Sequence, residues 1–362
     1  MVADKGKIAV LGGSGDIGRV VCAELARLGP YGLVVAGRSL ERAEALAATL
    51  PGETEVRRFD VGTESGDAFR DCALIVNCTG PSWRTGPLAA AMALHAGAHL
   101  VDVGGYSLLM GELAGRGGEL EAAGRSFVLS AGWMPGLSEV FVRHALERAE
   151  GAHGPAESVV LYCGARDTWS LTSAEDMVWH VFSELRFGWF ERGVWSGRPV
   201  WAACGTVTLP VLPDARQQVT WMYNAPSRPL AEERRDLSLR IGLVLVGPRC
   251  RFALAFSKLF LSRRRKTAAA MLHGAIRRDA ERRGPMGILH AEVRSRSGRT
   301  FRLTLAEARN HWITGLSAAH AAHAVMQGLA RPGVHYLGEA VPARAFMESL
   351  AACGVACTED AA

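Results

Sequence analysis

Lysine is scarce in this chain. Of 362 residues only Lys5, Lys7, Lys258 and Lys266 are lysine, although lysine and arginine together number 41. A reaction that needs an ammonium acid therefore has few candidates to draw on. Paired thiols are missing too: the eight cysteines include no C-x-x-C, and the nearest approach is Cys353 and Cys357. That argues against a zinc site built on a cysteine pair and against a disulfide framework, and it fits reduced thiols in a cytoplasmic protein. No run is apolar enough for a membrane span, because Ile241 to Leu261 is interrupted by Arg249, Arg251 and Lys258. A helix lying on a membrane surface is the minor alternative there. The opening MVADKGK lacks the apolar core of a secretory signal, and no internal repeat or low-complexity tract is present. The net charge of +5 comes from arginine outnumbering lysine, and the densest basic run, Arg263 to Lys266, has no interleaved aromatics. Nucleic acid is therefore not an expected partner. The run falls in a stretch that reads as one helix from Phe252 to Arg283 and suits a solvated face, with an acidic partner as the alternative.

What the chain does have is apolar residues, 49% of the total, enough for about two domains at this length. The run KIAVLGGSGDIGRVVCAEL opens the first of them. Lys7 to Leu11 suits a buried parallel strand, and Gly12, Gly13, Gly15 and Gly18 fit a glycine-rich turn. Ile17, Val21, Leu25 and Leu28 then recur at helical spacing. A strand, a glycine turn and a helix start in that order bring unpaired amides and the positive helix end to a pyrophosphate. The next strand, Leu33 to Ala36, runs into Gly37, Arg38 and Ser39, where an NAD enzyme usually carries an acid. A guanidinium at Arg38 can stack on adenine and pair with a 2′-phosphate, so the expected cofactor is NADP(H). The competing reading makes Arg38 a solvated loop residue and Ser39 a helix cap.

Strand and helix alternation continues, as expected for an α/β fold with a Rossmann-type doubly wound parallel sheet. Further strands are expected at Thr54 to Val61, Ala73 to Asn77, His99 to Val103 and Arg125 to Ser130, with a helix from Pro87 to Ala96. Ligands of such sheets bind at the carboxyl ends of the strands. That edge would gather Asp60, Cys78, Thr79, Gly80, Asp102, Gly104, Gly105, Tyr106, Gly132 and Pro135.

The order VLGGSGDIG, AGRS, VNCTGP, HLVDVGGY and GWMPG resembles the saccharopine dehydrogenase-like NADP-dependent reductases over about 135 residues. The resemblance implies that Gly12, Ser14, Gly15, Asp16, Ile17 and Gly18 hold the pyrophosphate and that Arg38 and Ser39 hold the 2′-phosphate. It further implies that Asp60 and Val61 flank the adenine and that Cys78, Thr79, Gly80 and Pro81 pass the nicotinamide ribose. The tail PGVHYLGEAV and RAFMESLAACGV resembles the end of such proteins. The expected domains are 1–132 for the nucleotide and 133–316 for substrate and dimerisation, with 317–362 packing back on the first.

The middle of the chain, from about Ala152 to Pro285, matches no family by eye, yet it has the outline of an α+β domain. Strands are expected at Ser158 to Cys163, Thr206 to Leu209, Ile288 to Arg294 and Thr300 to Leu305, the last two as a hairpin turned by Ser297 and Gly298. Thr172 to Phe187 reads as a helix capped by Ser173, with Glu175 and Asp176 in its first turn. The aromatics Trp179, Phe182, Phe187, Trp189, Phe190, Trp195 and Trp201 suit core packing, with an apolar substrate pocket as the alternative. By resemblance, the sheet carries a homodimer contact.

The chemistry narrows by exclusion. Short-chain dehydrogenases use a Tyr-x-x-x-Lys pair, and none of Tyr31, Tyr106, Tyr162, Tyr223 and Tyr336 has a lysine four places on. His320 and His323 sit at helical spacing without a nearby carboxylate in the sequence, so packing is expected there and no metal. Hydride transfer to a carbon that is already electrophilic fits what is left, because it needs positioning more than a strong acid. Reduction of an amino-acid-derived or specialised-metabolite imine is the first reading. An enoyl reductase acting on a carrier-bound or lipid acyl chain is the second, and a non-catalytic NADP-binding interaction protein the third. Tyr106 is the first candidate for a proton donor, and Asp176 with His180 could bind or protonate a substrate amine. Glu139, expected at a helix start, and His311 are weaker candidates.

Overall fold

The computed structural model describes residues 6–244 and 246–361, and the chain divides into two units. The first comprises Met1–Leu137 with His311–Pro342, and the second Ser138–Asn310 with Ala343–Ala362. The tail expected to pack on the nucleotide domain therefore splits. Gly333–Tyr336 joins the first unit's sheet, whereas Cys357–Ala361 pairs antiparallel with Thr300–Glu307 in the second.

The first unit's strands form where apolar, β-branched runs can be buried on both faces. They are β1 (Lys7–Leu11), β2 (Gly32–Gly37), β3 (Thr54–Arg58), β4 (Cys72–Asn77), β5 (His99–Asp102) and β6 (Ser126–Leu129). With the Gly333–Tyr336 strand beside β6, the sheet runs from that strand through β6, β5, β4, β1 and β2 to β3, all parallel. The chain order reverses between β1 and β4, the place where doubly wound sheets bind ligands. Central strands are almost wholly buried, with Ile8, Ala9, Val10, Val34, Val35, Leu74, Ile75, Val76 and Leu100 at the core. Only β3, an edge strand of sequence TEVRR, departs from this, and its charges help to protect an unpaired edge. Lys7, Glu55, Arg57 and Asp71 form an ion network there, with Lys7 Nζ 2.9 Å from Asp71 and Arg57 2.7 Å from the same carboxylate.

Helices α1 (Gly18–Leu28), α2 (Leu40–Ala47) and α3 (Ser82–Ala96) follow β1, β2 and β4. The third differs from expectation: it begins at Ser82, directly after Pro81, and carries Pro87 inside it. Thr85 Oγ1 donates to the carbonyls of Thr79 and Pro81, which supplies side-chain bonding in the early turn. Strand β3 stops at Arg58, so Asp60 lies in the loop beyond it rather than at its last position.

The second unit holds a mixed sheet. Cys204–Leu209, Leu212–Trp221, Ser238–Leu243, Ala156–Arg166, Met286–Ser295, Thr300–Glu307 and Cys357–Ala361 lie side by side in that order, and Gly188–Glu191 with Val194–Gly197 pairs on at Ser238–Leu243. The hairpin of Met286–Ser295 with Thr300–Glu307 turns at Gly298, whose φ is +85°. Three helices, Leu171–Ser183, Pro248–Phe260 and Arg265–Arg283, pack together through Ala174, Val178, Ala253, Ala269, Leu272 and Ile276.

Two of these helices correct the sequence reading. Ser170, not Ser173, caps the first by accepting from Ser173 N–H at 3.1 Å, which leaves Glu175 and Asp176 beyond the first turn. The long helix expected from Phe252 to Arg283 is broken: Leu261 turns in against the helix cluster while Arg263, Arg264 and Arg265 stay in water. The aromatics also separate. Trp195 and Phe190 pack edge to face with Tyr223 nearby, Phe182 joins the three-helix cluster, and Trp201 is 80% exposed and belongs to neither.

Candidate functional site

Glycines shape the first loop of the site because side chains have no room there. Gly12 leaves β1 at φ +71°, and its N–H donates to the Ala36 carbonyl at 2.8 Å. A Cβ on Gly18 would fall 2.2 Å from Gly12 O and 2.7 Å from Gly13 Cα, so α1 can start against the turn only with that position bare. The N-cap, Ile17, has no side-chain acceptor, and the first turn of α1 holds no acid. Nothing from the cap competes for the first-turn amides, and the positive helix end is not neutralised. A pyrophosphate, anionic and rich in acceptor oxygens, fits this cradle. Ser14, Gly15 and Asp16 complete the loop; the Asp16 carboxylate is paired with Arg19 at 2.6 Å, which leaves its backbone as the part available to a phosphate.

At the end of β2, Arg38 is exposed, and among the described residues no carboxylate pairs with it. Ser39 does cap α2, accepting from Arg42 N–H at 3.4 Å. Arg42, which the sequence reading did not single out, turns back and donates to the Ser14 carbonyl at 2.9 Å. A second guanidinium thus stands against the glycine loop beside Gly37, where an added Cβ would lie 3.7 Å from Ser14 Oγ. Its only sequence signal is its position on the first turn of the helix that follows Arg38.

Asp60 folds its carboxylate onto its own loop, accepting from Gly62 N–H at 3.0 Å, and Phe59 N–H ties that loop to Gly37 O at 3.0 Å. Val61 borders a hollow of about 530 Å³ floored by Leu88, Ala91 and Met92.

The turn after β4 faces the glycine loop: a Cβ on Gly12 would lie 3.1 Å from Thr79 Cγ2 and 3.2 Å from Cys78 O. It is held by a buried chain of polar groups. Asn77 Nδ2 donates to Asp102 Oδ2 at 2.7 Å, and Asn77 Oδ1 accepts from Thr79 Oγ1 at 2.5 Å and Thr79 N at 3.1 Å. Asn77 and Asp102 are register partners on β4 and β5, so strand pairing places the two side chains together. Gly80 and Pro81 follow through a cis peptide bond. Burial pushes the Cys78 thiol well above its ordinary value, with Cys22 and Asp102 adding to the shift, so it is neither an acid nor a nucleophile near neutrality.

Tyr106 stands at the carboxyl end of β5, half-buried, directly after Gly105 at φ +57°. A Cβ on Gly104 would collide with Ser82 Cβ at 2.3 Å, so this turn packs closely on the start of α3. The GWMPG turn after β6 is equally tight: Gly136, at φ +129°, leaves no space for a Cβ beside Ser130 O.

The histidines of helix Asn310–Met326 correct one expectation. A carboxylate does lie nearby, since His320 Nε2 is 3.0 Å from Glu24 Oε1, contributed by α1, while His323 Nδ1 is 2.7 Å from the Tyr31 hydroxyl. His311, at the start of that helix, is exposed.

In the second unit, Asp176 and His180 are half-buried on helix Leu171–Ser183, and His180 Nδ1 lies 3.2 Å from Glu184 Oε2, one turn further on. Glu139 is buried and accepts from Ser138 Oγ at 2.7 Å, Asn224 Nδ2 at 2.5 Å and Ser227 Oγ at 2.9 Å. It ties a helix start to a distant loop.

Residues 8–128 match the family model of the saccharopine dehydrogenase NADP binding domain. Those residues form a saccharopine dehydrogenase NADP-binding domain. NADP(H) is the cofactor of that domain type, in line with the cradle and the guanidinium groups beside it. Among solved structures, the apo saccharopine dehydrogenase (L-Glu forming) from Saccharomyces cerevisiae matches at a TM-score of 0.68 with 15% identity, covering 99% of this chain and 100% of that one. An amine dehydrogenase from Mycobacterium smegmatis matches at 0.50 with 10% identity, covering 93% and 96%. At these identities the likeness establishes the fold alone, a Rossmann-type unit and a mixed-sheet unit. No curated protein matches the chain.

Proposed function

We propose that the protein is an NADPH-dependent oxidoreductase that reduces the C=N bond of an imine derived from an amine or amino acid. The observation that carries this reading is where the few lysines lie. Lys7 is at the start of β1, the edge opposite the cradle, paired with Glu55 and Asp71. Lys258 donates to Val181 O at 2.6 Å in the helix cluster of the second unit, Lys266 is exposed beside that cluster, and Lys5 lies outside the described residues. Among the described residues of the first unit, then, no lysine stands at the carboxyl edge to protonate an alkoxide. A protonated imine brings its own activation, and needs a cofactor and substrate held in line more than an acid. The saccharopine and amine dehydrogenases that share the fold are named for amine substrates, which supports the same chemistry.

When bound, NADPH supplies the hydride. The chain's contribution is positioning: the bare Gly18 and the α1 amides hold the pyrophosphate, Arg38 and Ser39 with Arg42 meet the 2′-phosphate, and Asp60 with Val61 flanks the adenine. The Asp102–Asn77–Thr79 chain fixes the Cys78–Pro81 turn beside the nicotinamide ribose. Tyr106 is assigned to orient the substrate or return a proton to it, and Asp176 with His180 to bind the amine. The first unit thus serves the nucleotide, and the second the substrate and a homodimer contact. NADPH oxidation with a panel of cyclic and acyclic imines, alongside enoyl thioesters, tests the reading. Imine turnover that falls at least about tenfold in Tyr106→Phe with unchanged NADPH affinity supports it; turnover of enoyl thioesters alone overturns it, and turnover of neither favours a binding role.

A further inference from the structure

Helix Pro248–Phe260 has a buried face and, beside it, an exposed apolar one. Its inner face, Cys250, Ala253 and Ser257, is buried against the neighbouring helices. Both ends are anchored: the buried Asp279 accepts from Cys250 N–H at 3.0 Å, and Lys258 Nζ donates to Val181 O at 2.6 Å. The outer face carries Phe252, Phe256 and Phe260 four residues apart, their rings in contact at 5.9 and 4.9 Å between centroids, with Leu259 beside them. Phe252 and Phe260 are each 69% exposed and Leu259 is 74% exposed. Three residues past Phe260 come Arg263, Arg264, Arg265 and Lys266, all in water. From residue 237 to residue 278 there are ten lysines and arginines and no aspartate or glutamate.

We infer that this face docks on an anionic lipid surface. A rigid aromatic stripe beside a cationic cluster matches what a bilayer with acidic headgroups presents, an apolar slab under a negative layer. A second copy fits less well, because a two-fold contact through this face would bring two acid-free basic segments together. The helix lies on the surface rather than crossing it, since no described helix is long and apolar enough to span a bilayer.

Cosedimentation of the full chain with vesicles tests this. The protein is expected to pellet with mixed phosphatidylglycerol and phosphatidylcholine vesicles, to stay in solution with phosphatidylcholine alone, and to lose most binding in about 1 M salt, where charges are screened within about 3 Å. Phe252→Ser/Phe256→Ser/Phe260→Ser and, separately, Arg263→Glu/Arg264→Glu/Arg265→Glu should each lower partitioning at least about tenfold while NADPH binding is retained. If the phenylalanine variant unfolds, the arginine variant decides, because its three side chains are exposed and outside the core. Absence of vesicle binding, equal binding to both lipid mixtures, or arginine variants that bind like the parent would overturn the inference. So would a dimer in light scattering that Phe256→Ser dissociates, which would assign the face to a second copy.

Discussion

Replacing Arg38 by alanine should weaken NADPH binding and leave NADH binding alone. Arg38 is exposed at the end of β2, and among the described residues no carboxylate competes for it, so its guanidinium is available to a phosphate. A hydrogen bond to a charged group is worth about 1.5–3 kcal/mol, and solvent exposure puts this one at the lower end. A loss of about 1.5–2 kcal/mol corresponds to a rise of about 10–30-fold in the Kd for NADPH. NADH has no 2′-phosphate, so its Kd should move less than about twofold on the same argument. Arg42 should behave differently, because its guanidinium also holds Ser14 O at 2.9 Å. Arg42→Ala releases the glycine loop as well as one cation, and both cofactors should bind more weakly, NADPH more so. Nucleotide fluorescence titrations on the two single variants and the double variant measure all of this. Equal losses for NADPH and NADH in Arg38→Ala, or no loss for either, would refute the reasoning and return Arg38 to the role of a solvated loop residue.

Gly18→Ala puts a Cβ 2.2 Å from Gly12 O, where only backbone movement can make space, and overpacking of this kind costs about 1–3 kcal/mol. NADPH affinity should fall at least about tenfold in the same titration, and wild-type affinity would show that the turn is not the cradle. Asn77→Ala removes the donor 2.7 Å from the buried Asp102 carboxylate, and should lower the urea unfolding free energy by about 1.5–3 kcal/mol and slow turnover. Unchanged stability would mean that Asp102 does not depend on Asn77. His99 is held down to about 4 by burial, with Arg125 adding to the effect, and its Nδ1 accepts from Ser126 N–H at 3.0 Å. The unfolded chain therefore binds more protons between its ordinary value of 6.5 and about 4. His99 contributes stability that is present above 6.5 and lost as pH falls through this window, on the order of 2 kcal/mol. Urea melts across that window should show the loss, and His99→Gln should flatten it.

Much of the first unit was legible in the sequence because its strands are buried on both faces. Runs such as Ile8 to Leu11 and Leu74 to Val76 can be little else between turn residues, and the glycine spacing marked the loop they feed. The second unit was less legible for the opposite reason. Leu212–Trp221 and Ser238–Leu243 are partly exposed strands with mixed polarity, and they are defined by neighbours distant in sequence. Arg42 was missed because a helix-surface arginine gives no local sign of reaching back 28 residues to Ser14.

By itself the sequence determined the cradle, since strand, glycine turn and helix start are contiguous and short-range sterics dictate their conformation. It also determined the basic character beside the second strand and the shortage of lysine. Tertiary structure decided what acts together. Asn77 meets Asp102 because β4 pairs with β5 in that register, Lys7 stands away from the cradle because it begins β1 and the glycine turn follows that strand's other end, and the Phe252 stripe is left in water while the helix buries another face. Those outcomes depend on packing between segments far apart in the chain, which no local pattern encodes.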